Sequence, residues 1–435
     1  MTDAAGAASA ASADSSVNGR RGRWLYPLAM LGAHLAFMPL LVLLLPRRVE
    51  RLAAGAEIDP GIAVSWLLLA GGIAASIAHI AAGGWSDSWI IRHGNRRGII
   101  GVGLAALIAA YGLLALAPTL ALLGGAFVLL QLALNLTFSP LGAVLTDHVP
   151  DRAKGRMAGW MNAALPISTM TIGGFAYAFP SDSNAAFALI AAGIAATILP
   201  LLVFWDFGQV AGSASFAPQA ERLTSARSSG GKLRGGILRD FAAVWTARFF
   251  IQMGAAFAIG YLYVTVSAAI ADPRAGAGWP DRTPSILVGQ LAMAAAIVAV
   301  CAALGSGWIS DRLNRRVAPL AIIAAIAAVA LALLAAMPGW PLFIAAYALF
   351  HFALTGFLSI DTALVAQLLA DNPRRGAWLG VMNLTNTLPA IMVPSAALAV
   401  LARGETLAAL GGLFAASAFG AALAALLVML VRNVR

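Results

Sequence analysis

The sequence has very few charged residues and only one cysteine. Charged side chains make up 11% of its 435 residues, whereas a soluble domain carries about 25%. The single cysteine, Cys301, excludes a disulfide framework. No GxxxxGK[ST] phosphate loop, HExxH zinc motif, CxxC pair or nucleophile elbow is present. These absences exclude an ordinary water-soluble domain and leave ATP-driven transport unsupported. We expect no catalytic residue, no metal and no cofactor, and therefore not an enzyme.

Long apolar runs take the place of the missing polar surface. Hydrophobic residues make up 61% of the chain, and its mean hydropathy is +0.85. Runs near twenty residues recur, which is the length of a helix that crosses about 30 Å of hydrocarbon. The sequence therefore predicts an all-α polytopic membrane protein embedded in a lipid bilayer, with twelve transmembrane helices. We predict them at 24–46, 61–84, 97–117, 120–146, 156–179, 185–205, 241–270, 284–309, 316–337, 341–367, 376–401 and 405–431.

The distribution of Lys and Arg predicts the orientation. With both termini in the cytoplasm, the cytoplasmic segments hold 21 of the 28 basic residues, the outer loops hold 6, and Arg248 lies within a span. This asymmetry follows the positive-inside rule of an inner or plasma membrane. It also explains the net charge of +10 without nucleic acid. Residues 1–23 are predicted to be a disordered cytoplasmic tail without the apolar core of a signal peptide, and 206–240 a flexible cytoplasmic linker.

One charged motif occurs twice. The stretch "AGGWSDSWIIRHGNRR" (82–97) is repeated as "GSGWISDRLNRR" (305–316), and other matches share an offset near 220, such as Trp24 with Trp245 and Asn162 with Asn383. Two halves in the same orientation are the parallel repeat of a secondary transporter, with the substrate site between them. We predict two pseudo-symmetric six-helix bundles, 24–205 and 241–435.

On these motifs the sequence resembles the major facilitator superfamily, from about residue 24 to 432. The signature of that family has a Gly, an Asp four residues on, an Arg four further on, and a basic pair. Gly307, Asp311 and Arg315 match it in the second copy. In the first copy Gly83 and Asp87 match, Ile91 stands where Arg is expected, and the basic residues follow at Arg92 and Arg96. The resemblance implies a monomeric carrier that works by alternating access.

In that family the motif latches the cytoplasmic face of the outward-open state. The resemblance implies that Asp87 caps the eleventh helix near Gly376 and that Asp311 caps the fifth near Gly155. A carboxylate at a helix N-terminus is stabilised by the helix dipole. Asp147, at the end of the fourth helix, is then the expected acid for Arg92 or Arg96. Ordinary loop solvation and a topology signal are the alternative.

Two charged residues, Arg248 and Asp361, fall inside predicted spans. Charges at such depth are costly, and they are usually paired or functional. The family's seventh and tenth helices line its central cavity, so the resemblance allows these residues to pair. We hypothesise that Asp361 binds the coupling proton, while Arg248 tunes it or holds an anionic group of the substrate. A permanent structural ion pair is the alternative.

Helical spacing adds further candidates on the same helices. Tyr347, Phe350, Leu354, Phe357 and Asp361 form one stripe of the tenth span at about 100° per residue. Polar faces comprise Gln131 and Asn135 in the fourth span and Gln252 with Arg248 in the seventh. His34 and His351 are candidates for a proton relay, whereas His79 is assigned to packing. Ordinary helix–helix hydrogen bonding is the alternative for each Gln and Asn.

The sequence therefore predicts a secondary transporter of a small molecule, driven by protons or another ion. The stretch "SPLGAVLTDHVPDRAKGRMAGW" (139–160) resembles sugar symporters of the glycoside–pentoside–hexuronide and sucrose type, which implies sugar uptake. A drug or metabolite efflux carrier of the same fold is one alternative. A membrane sensor or assembly partner without transport is the other.

Overall fold

The computed structural model describes residues 18–148, 151–205, 207, 235–273, 278–313, 316–369, 375–403 and 406–432. Side chains are described for all of these except 18–23, 80, 83, 87, 91, 145–148, 151–163, 235, 304, 306–313, 366, 375–377 and 379. Most of the predicted tail and most of the predicted linker lie outside the described residues.

The described chain consists almost wholly of helices, which confirms the predicted all-α membrane fold. The first span comprises Asn18–Leu35, a π-helical turn Leu40–Leu44 and Leu45–Ala54; the second to sixth are Pro60–His93, Arg97–Leu116, Leu120–His148, Asp151–Ala178 and Asn184–Phe204. The seventh comprises Gly235–Gly260 and Leu262–Ala271; the eighth to twelfth are Pro284–Leu313, Val317–Ala335, Trp340–Leu368, Arg375–Leu401 and Thr406–Val428. The first and second spans extend past their predicted ends at 46 and 84, and the seventh begins before 241.

Eleven of these helices are long and apolar enough to cross a membrane, judged on the described residues. The fifth helix, Asp151–Ala178, is 28 residues long but is not one of the eleven, and many of its side chains lie outside the described set. We call the side that carries the start of the first span, the end of the twelfth and the connection at 94–96 the inner face. The side that carries 55–59, 117–119 and 179–183 is the outer face.

The packing of the helices repeats between the two halves. In the first half the first span packs on the fifth and sixth, the third on the fourth and sixth, and the second on the fourth. In the second half the seventh packs on the eleventh and twelfth, the ninth on the tenth and twelfth, and the eighth on the tenth. Across the halves the second span meets the eleventh and the fifth meets the eighth. Shifting every helix by six reproduces each contact, so the two bundles are pseudo-symmetric.

Arg48 corrects the interpretation of the first span. The sequence assigns it to an outer loop, but it is 1% exposed inside the helix that runs on to Ala54. Its Nε lies 2.7 Å from a carboxylate oxygen of Asp182, and its guanidinium donates to the carbonyl of Ala115 and the amide oxygen of Asn184. A buried guanidinium is tolerated here because carbonyls at the end of the third span accept hydrogen bonds from it and the Asp182 carboxylate compensates its charge.

We expect Arg48→Met to lower the free energy of unfolding by about 3–5 kcal/mol, because it leaves buried polar partners unsatisfied. Thermal or denaturant unfolding in detergent measures the change. The matched control is Arg51→Met, because Arg51 lies 3.0 Å from the same carboxylate but is 52% exposed. An exposed pair contributes about 1 kcal/mol or less. Equal losses in the two variants would contradict a structural role for the buried arginine.

Candidate functional site

A cavity of about 300 Å³ lies between the two halves. Helices one, two and four form one wall, and helices seven and eleven form the other. Most of its lining is aliphatic or aromatic, with side chains such as Phe37, Met38 and Leu68 on the first wall and Ile259 and Val393 on the second. Polar groups are few and are concentrated on the fourth, seventh and eleventh helices: Gln131, Gln252, Asn386 and Tyr261.

Hydrogen bonds between the halves close the outer side of this cavity. The Tyr261 hydroxyl donates to Ser65 at 2.7 Å, directly beyond the cavity. Tyr263 donates to a carboxylate oxygen of Glu50 at 2.7 Å. Further out, the Thr406 hydroxyl donates to a carboxylate oxygen of the second-helix cap, Asp59, at 3.2 Å. We call these three hydrogen bonds the outer gate.

Close backbone contacts reinforce the outer closure. A methyl group placed on Gly289, near the outer end of the eighth span, would lie 2.7 Å from the Ala176 Cβ and 3.2 Å from the Gly173 Cα of the fifth. A methyl group on Gly72 would likewise meet the backbone carbonyl of Ala390 in the eleventh span. Small residues allow transmembrane helices to approach this closely. Glycine at these positions therefore permits the conformation that is closed on its outer side.

The Arg248–Asp361 pair lies at the inner end of the cavity. The Arg248 Nη1 donates to a carboxylate oxygen of Asp361 at 2.7 Å, and this carboxylate is fully buried whereas Arg248 is 16% exposed. The other carboxylate oxygen of Asp361 has no hydrogen-bond partner among the described residues. Burying an ion pair is costly unless it is fully satisfied. One oxygen of this buried carboxylate is therefore left unsatisfied by the described residues.

Asn386 connects this pair to the cavity lining. Its amide oxygen accepts a hydrogen bond of 2.6 Å from the Gln252 Nε2 and a longer one of 3.4 Å from the Arg248 Nη2. Asn386 and Gln252 both line the cavity. A solute that displaces the hydrogen bond of Asn386 to Gln252 or to Arg248 therefore changes the surroundings of Arg248.

The hydrogen bonds continue from Asn386 into the other half. The Asn386 Nδ2 donates to the Asn383 Oδ1 at 2.9 Å, and the Asn383 Nδ2 lies 3.5 Å from the Nε2 of His79 in the second span. The Nδ1 of His79 lies 3.2 Å from the Asn135 Oδ1, and the Asn135 Nδ2 donates to the carbonyl of Gln131. We call the path from Asn135 through His79, Asn383 and Asn386 to Arg248 and Asp361 the polar chain.

The aromatic stripe of the tenth span lies away from the cavity. Tyr347 and Phe350 are 2% and 0% exposed in the core of the second half, and neither lines the cavity. His351 packs on both rings, and its Nε2 has no hydrogen-bond partner among the described residues. The Nδ1 of His34 lies within hydrogen-bond distance, 2.8 Å, of the carbonyl oxygen of Met30 in its own helix. Of the predicted site residues, the structure brings together Gln131, Asn135, Gln252, Arg248 and Asp361.

The latch motif falls mostly outside the described side chains. This applies to Gly83, Asp87, Asp147, Gly307, Asp311 and Arg315, so their role stays a prediction. Arg92 is exposed, whereas Arg96 is 2% exposed and donates to the Ser86 hydroxyl of the second span. Arg96 therefore ties the second helix to the start of the third.

His79, Asn383 and Asn386 are the site residues that sequence reasoning missed. The available signal was two asparagines three residues apart in the apolar eleventh span, which place both amides on one helical face. Among the described residues, no group of three or more His, Cys, Asp or Glu is arranged to hold a metal ion. The arrangement can exchange hydrogen bonds, hold a small solute and move a proton.

The chain matches the family described as Major Facilitator Superfamily over residues 25–394. No curated protein matches it. Similar solved structures include the nucleoside transporter NupG, with 14% identity over 93% of this chain and 99% of that chain and a TM-score of 0.66. A bacterial homologue of the human lysosomal transporter Spinster, inward-facing and occupied, has 14% identity over 97% and 98% of the two chains and a TM-score of 0.66. The peptide transporter POT in complex with sulfate has 11% identity over 94% of each chain and a TM-score of 0.70.

Proposed function

Because the chain belongs to the Major Facilitator Superfamily, we propose that it is a proton-coupled secondary transporter of a small amphipathic solute. The observation that carries this proposal is the cavity between the halves, which is closed by the outer gate and ends at the Arg248–Asp361 pair. The solved carriers of nucleosides and peptides with this fold support transport of a small solute without identifying it.

The orientation of the site follows from the basic residues. Because the inner face carries most of the Lys and Arg, we assign it to the cytoplasm. A cavity with a closed outer gate then belongs to the inward-facing state of an alternating-access cycle. The opposite state requires the outer gate to open and the inner ends of the halves to approach. We assign the contacts that hold the inner ends together to the latch motif.

Proton coupling is assigned to Asp361. The carboxylate is fully buried and has a single described partner, Arg248. A solute that competes for Arg248 weakens this ion pair, and a buried carboxylate without its cation favours the protonated form. Binding of solute and binding of a proton therefore support each other at this site.

The cavity lining favours the drug or metabolite carrier over the sugar symporter. A sugar presents hydroxyl groups around its whole edge, and each needs a partner when water is removed. The cavity offers amide groups at its inner end, such as Gln252 and Asn386, and apolar side chains elsewhere. Its volume of about 300 Å³ is at the small end of ligand sites. A compact solute with an apolar body and one hydrogen-bonding or anionic end fits best.

Thermal unfolding with a ligand panel tests this proposal. Purified protein is heated with sugars, small organic anions and cationic amphiphiles, and a ligand present at about 100 times its Kd adds about 2.7 kcal/mol of stability. We expect amphipathic solutes to stabilise the wild type, and Gln252→Leu to remove the effect. Stabilisation by sugars alone would restore the sugar-uptake interpretation. No stabilisation by any class would contradict the proposal and favour a sensor or assembly role.

A further inference from the structure

We propose that His79 binds a second proton and thereby controls Arg248, because the intervening asparagine amides must invert when the imidazole becomes charged. We call this transmission from His79 to Arg248 the relay. Its use in transport rests on the proposed function, but the relay itself depends only on the polar chain. Its parts lie in both halves, since His79 belongs to the second span and Asn383 and Asn386 to the eleventh.

The direction of each hydrogen bond in the polar chain is fixed by its neighbours. The Asn135 Nδ2 donates to a carbonyl, so its Oδ1 is the atom that faces His79. His79 therefore donates from Nδ1, and its Nε2 accepts from the Asn383 Nδ2. The Asn383 Oδ1 then accepts from Asn386, whose own oxygen accepts from Gln252 and Arg248. This pattern requires neutral His79 with its proton on Nδ1.

A proton on the Nε2 of His79 opposes this pattern, because it places a donor where the Asn383 N–H needs an acceptor. Both imidazole nitrogens donate in the charged form, so Nε2–H faces the N–H of Asn383. Rotating the Asn383 amide restores an acceptor at His79, but it turns the Asn383 nitrogen toward the nitrogen of Asn386. Asn386 must then rotate as well, and its nitrogen turns toward Gln252 and Arg248. The incoming proton ends on Nε2, and no covalent bond other than the new N–H changes.

The consequence reaches the substrate site. After the inversion, Arg248 loses the acceptor oxygen of Asn386, and the carboxylate of Asp361 is its remaining acceptor among the described residues. The freed Nη2 then needs a new acceptor, which the anionic or carbonyl end of a solute supplies. Protonation of His79 therefore increases the affinity of the cavity for a hydrogen-bond acceptor.

The surroundings of His79 leave imidazole as the group that changes charge. The Nε2 of a neutral imidazole with its proton on Nδ1 can accept a second proton, whereas the amides around it stay neutral. The flanking fourth and eleventh helices contribute no titratable or charged residue among the described side chains of 120–144, 378 and 380–401. The extension of the first span carries Arg47 and Glu50, which lie at the outer end of the second helix, and Glu50 serves the outer gate. Arg248 and Asp361 are the charged groups that the polar chain reaches.

Nuclear magnetic resonance of 15N-labelled histidine and arginine tests the relay in the full-length protein without any solute. We expect the Nη signals of Arg248 to change over the same pH range as the imidazole signals of His79. His79→Gln assigns the imidazole signals and must remove the part of the Arg248 response that coincides with them; the part caused by Asp361 remains. His93 is the internal reference, because it is exposed, bonds its own helix and lies outside the polar chain.

Asn383→Leu supplies the decisive variant. It removes the N–H that opposes a proton on Nε2, so we expect the proton affinity of His79 to rise about tenfold, which corresponds to about 1.4 kcal/mol. It also breaks the link, so Arg248 must no longer follow His79. The matched control is Thr387→Val in the same helix, whose hydroxyl donates only within its own turn. Two results would overturn the relay: Arg248 signals that do not change with those of His79 in the wild type, or Arg248 signals that still change with them in Asn383→Leu. Neither result bears on whether the cavity transports a solute.

Discussion

Asp361→Asn is expected to lower the accumulation of solute against its gradient about tenfold per pH unit across the membrane, while facilitated exchange continues. The asparagine oxygen still accepts a hydrogen bond from Arg248, so the contact at 2.7 Å has a replacement. The group to which we assign the coupling proton is gone. One proton per solute at Asp361 contributes about tenfold accumulation for each pH unit across the membrane, because tenfold corresponds to about 1.4 kcal/mol. In the variant this contribution should be lost, whereas any contribution from His79 should remain.

Reconstituted vesicles with an imposed pH difference measure this ratio for a solute found in the thermal panel. The variant must first elute as a monodisperse species, because a cation buried without its partner destabilises a protein. Asp240→Asn is the matched control. Asp240 is also a buried carboxylate of the seventh helix, but its carboxylate accepts from the backbone of Arg432 near the chain end. Accumulation equal to that of the wild type in a folded Asp361→Asn protein would show that the ion pair is only structural.

Gly289→Val is expected to shift the protein from the outer-closed to the outward-open conformation by at least about tenfold in population. Its added carbon atoms meet the Ala176 Cβ and the Gly173 Cα, which are not the ends of flexible side chains. The fifth and eighth helices must therefore separate at the outer face. A population shift of this size needs only about 1.4 kcal/mol of differential strain, and an overpacked helix contact supplies about 1–3 kcal/mol.

Spin labels across the outer face report this shift. Ser181 and Arg282 lie in outer connections of opposite halves and are exposed, so Ser181→Cys and Arg282→Cys in a Cys301→Ala background define one distance. We expect a longer distance in Gly289→Val. Gly174→Val is the control, because a methyl group there meets no atom within 4 Å. An unchanged distance in Gly289→Val, or an equal increase in both variants, would contradict tight packing as the outer closure.

The sequence was most informative where a charge lay in an apolar span. Arg248 and Asp361 are 113 residues apart, yet both stand out because charge at that depth requires a partner, and the structure brings them together. The parallel repeat likewise predicted two bundles whose packing coincides after a shift of six helices. The first inference rests on the cost of burying a charge in the bilayer, and the second on the internal repeat of the sequence.

The sequence was less informative where helix rotation or helix length decides the contact. The stripe of Tyr347 and Phe350 shares one helical face, but periodicity does not say whether that face meets a cavity or a neighbouring helix. Arg48 lies beyond the predicted end of the first span at 46, and the acceptors that hold it in the bundle come from distant parts of the chain, Ala115 and Asn184. The sequence assigns His79 to packing, because nothing in its own span shows that its partners lie in the fourth and eleventh helices.

Paired distances at the two faces test the central claim of alternating access most directly. The outer pair at 181 and 282 is compared with an inner pair, Arg97→Cys and Arg316→Cys, which lie at the starts of the third and ninth helices. Both pairs are measured in Cys301→Ala protein in vesicles, across pH and with a solute from the panel. We predict two populations in which the outer distance lengthens as the inner distance shortens. Two distances that vary independently, or that stay single and unchanged under all conditions, would contradict the account.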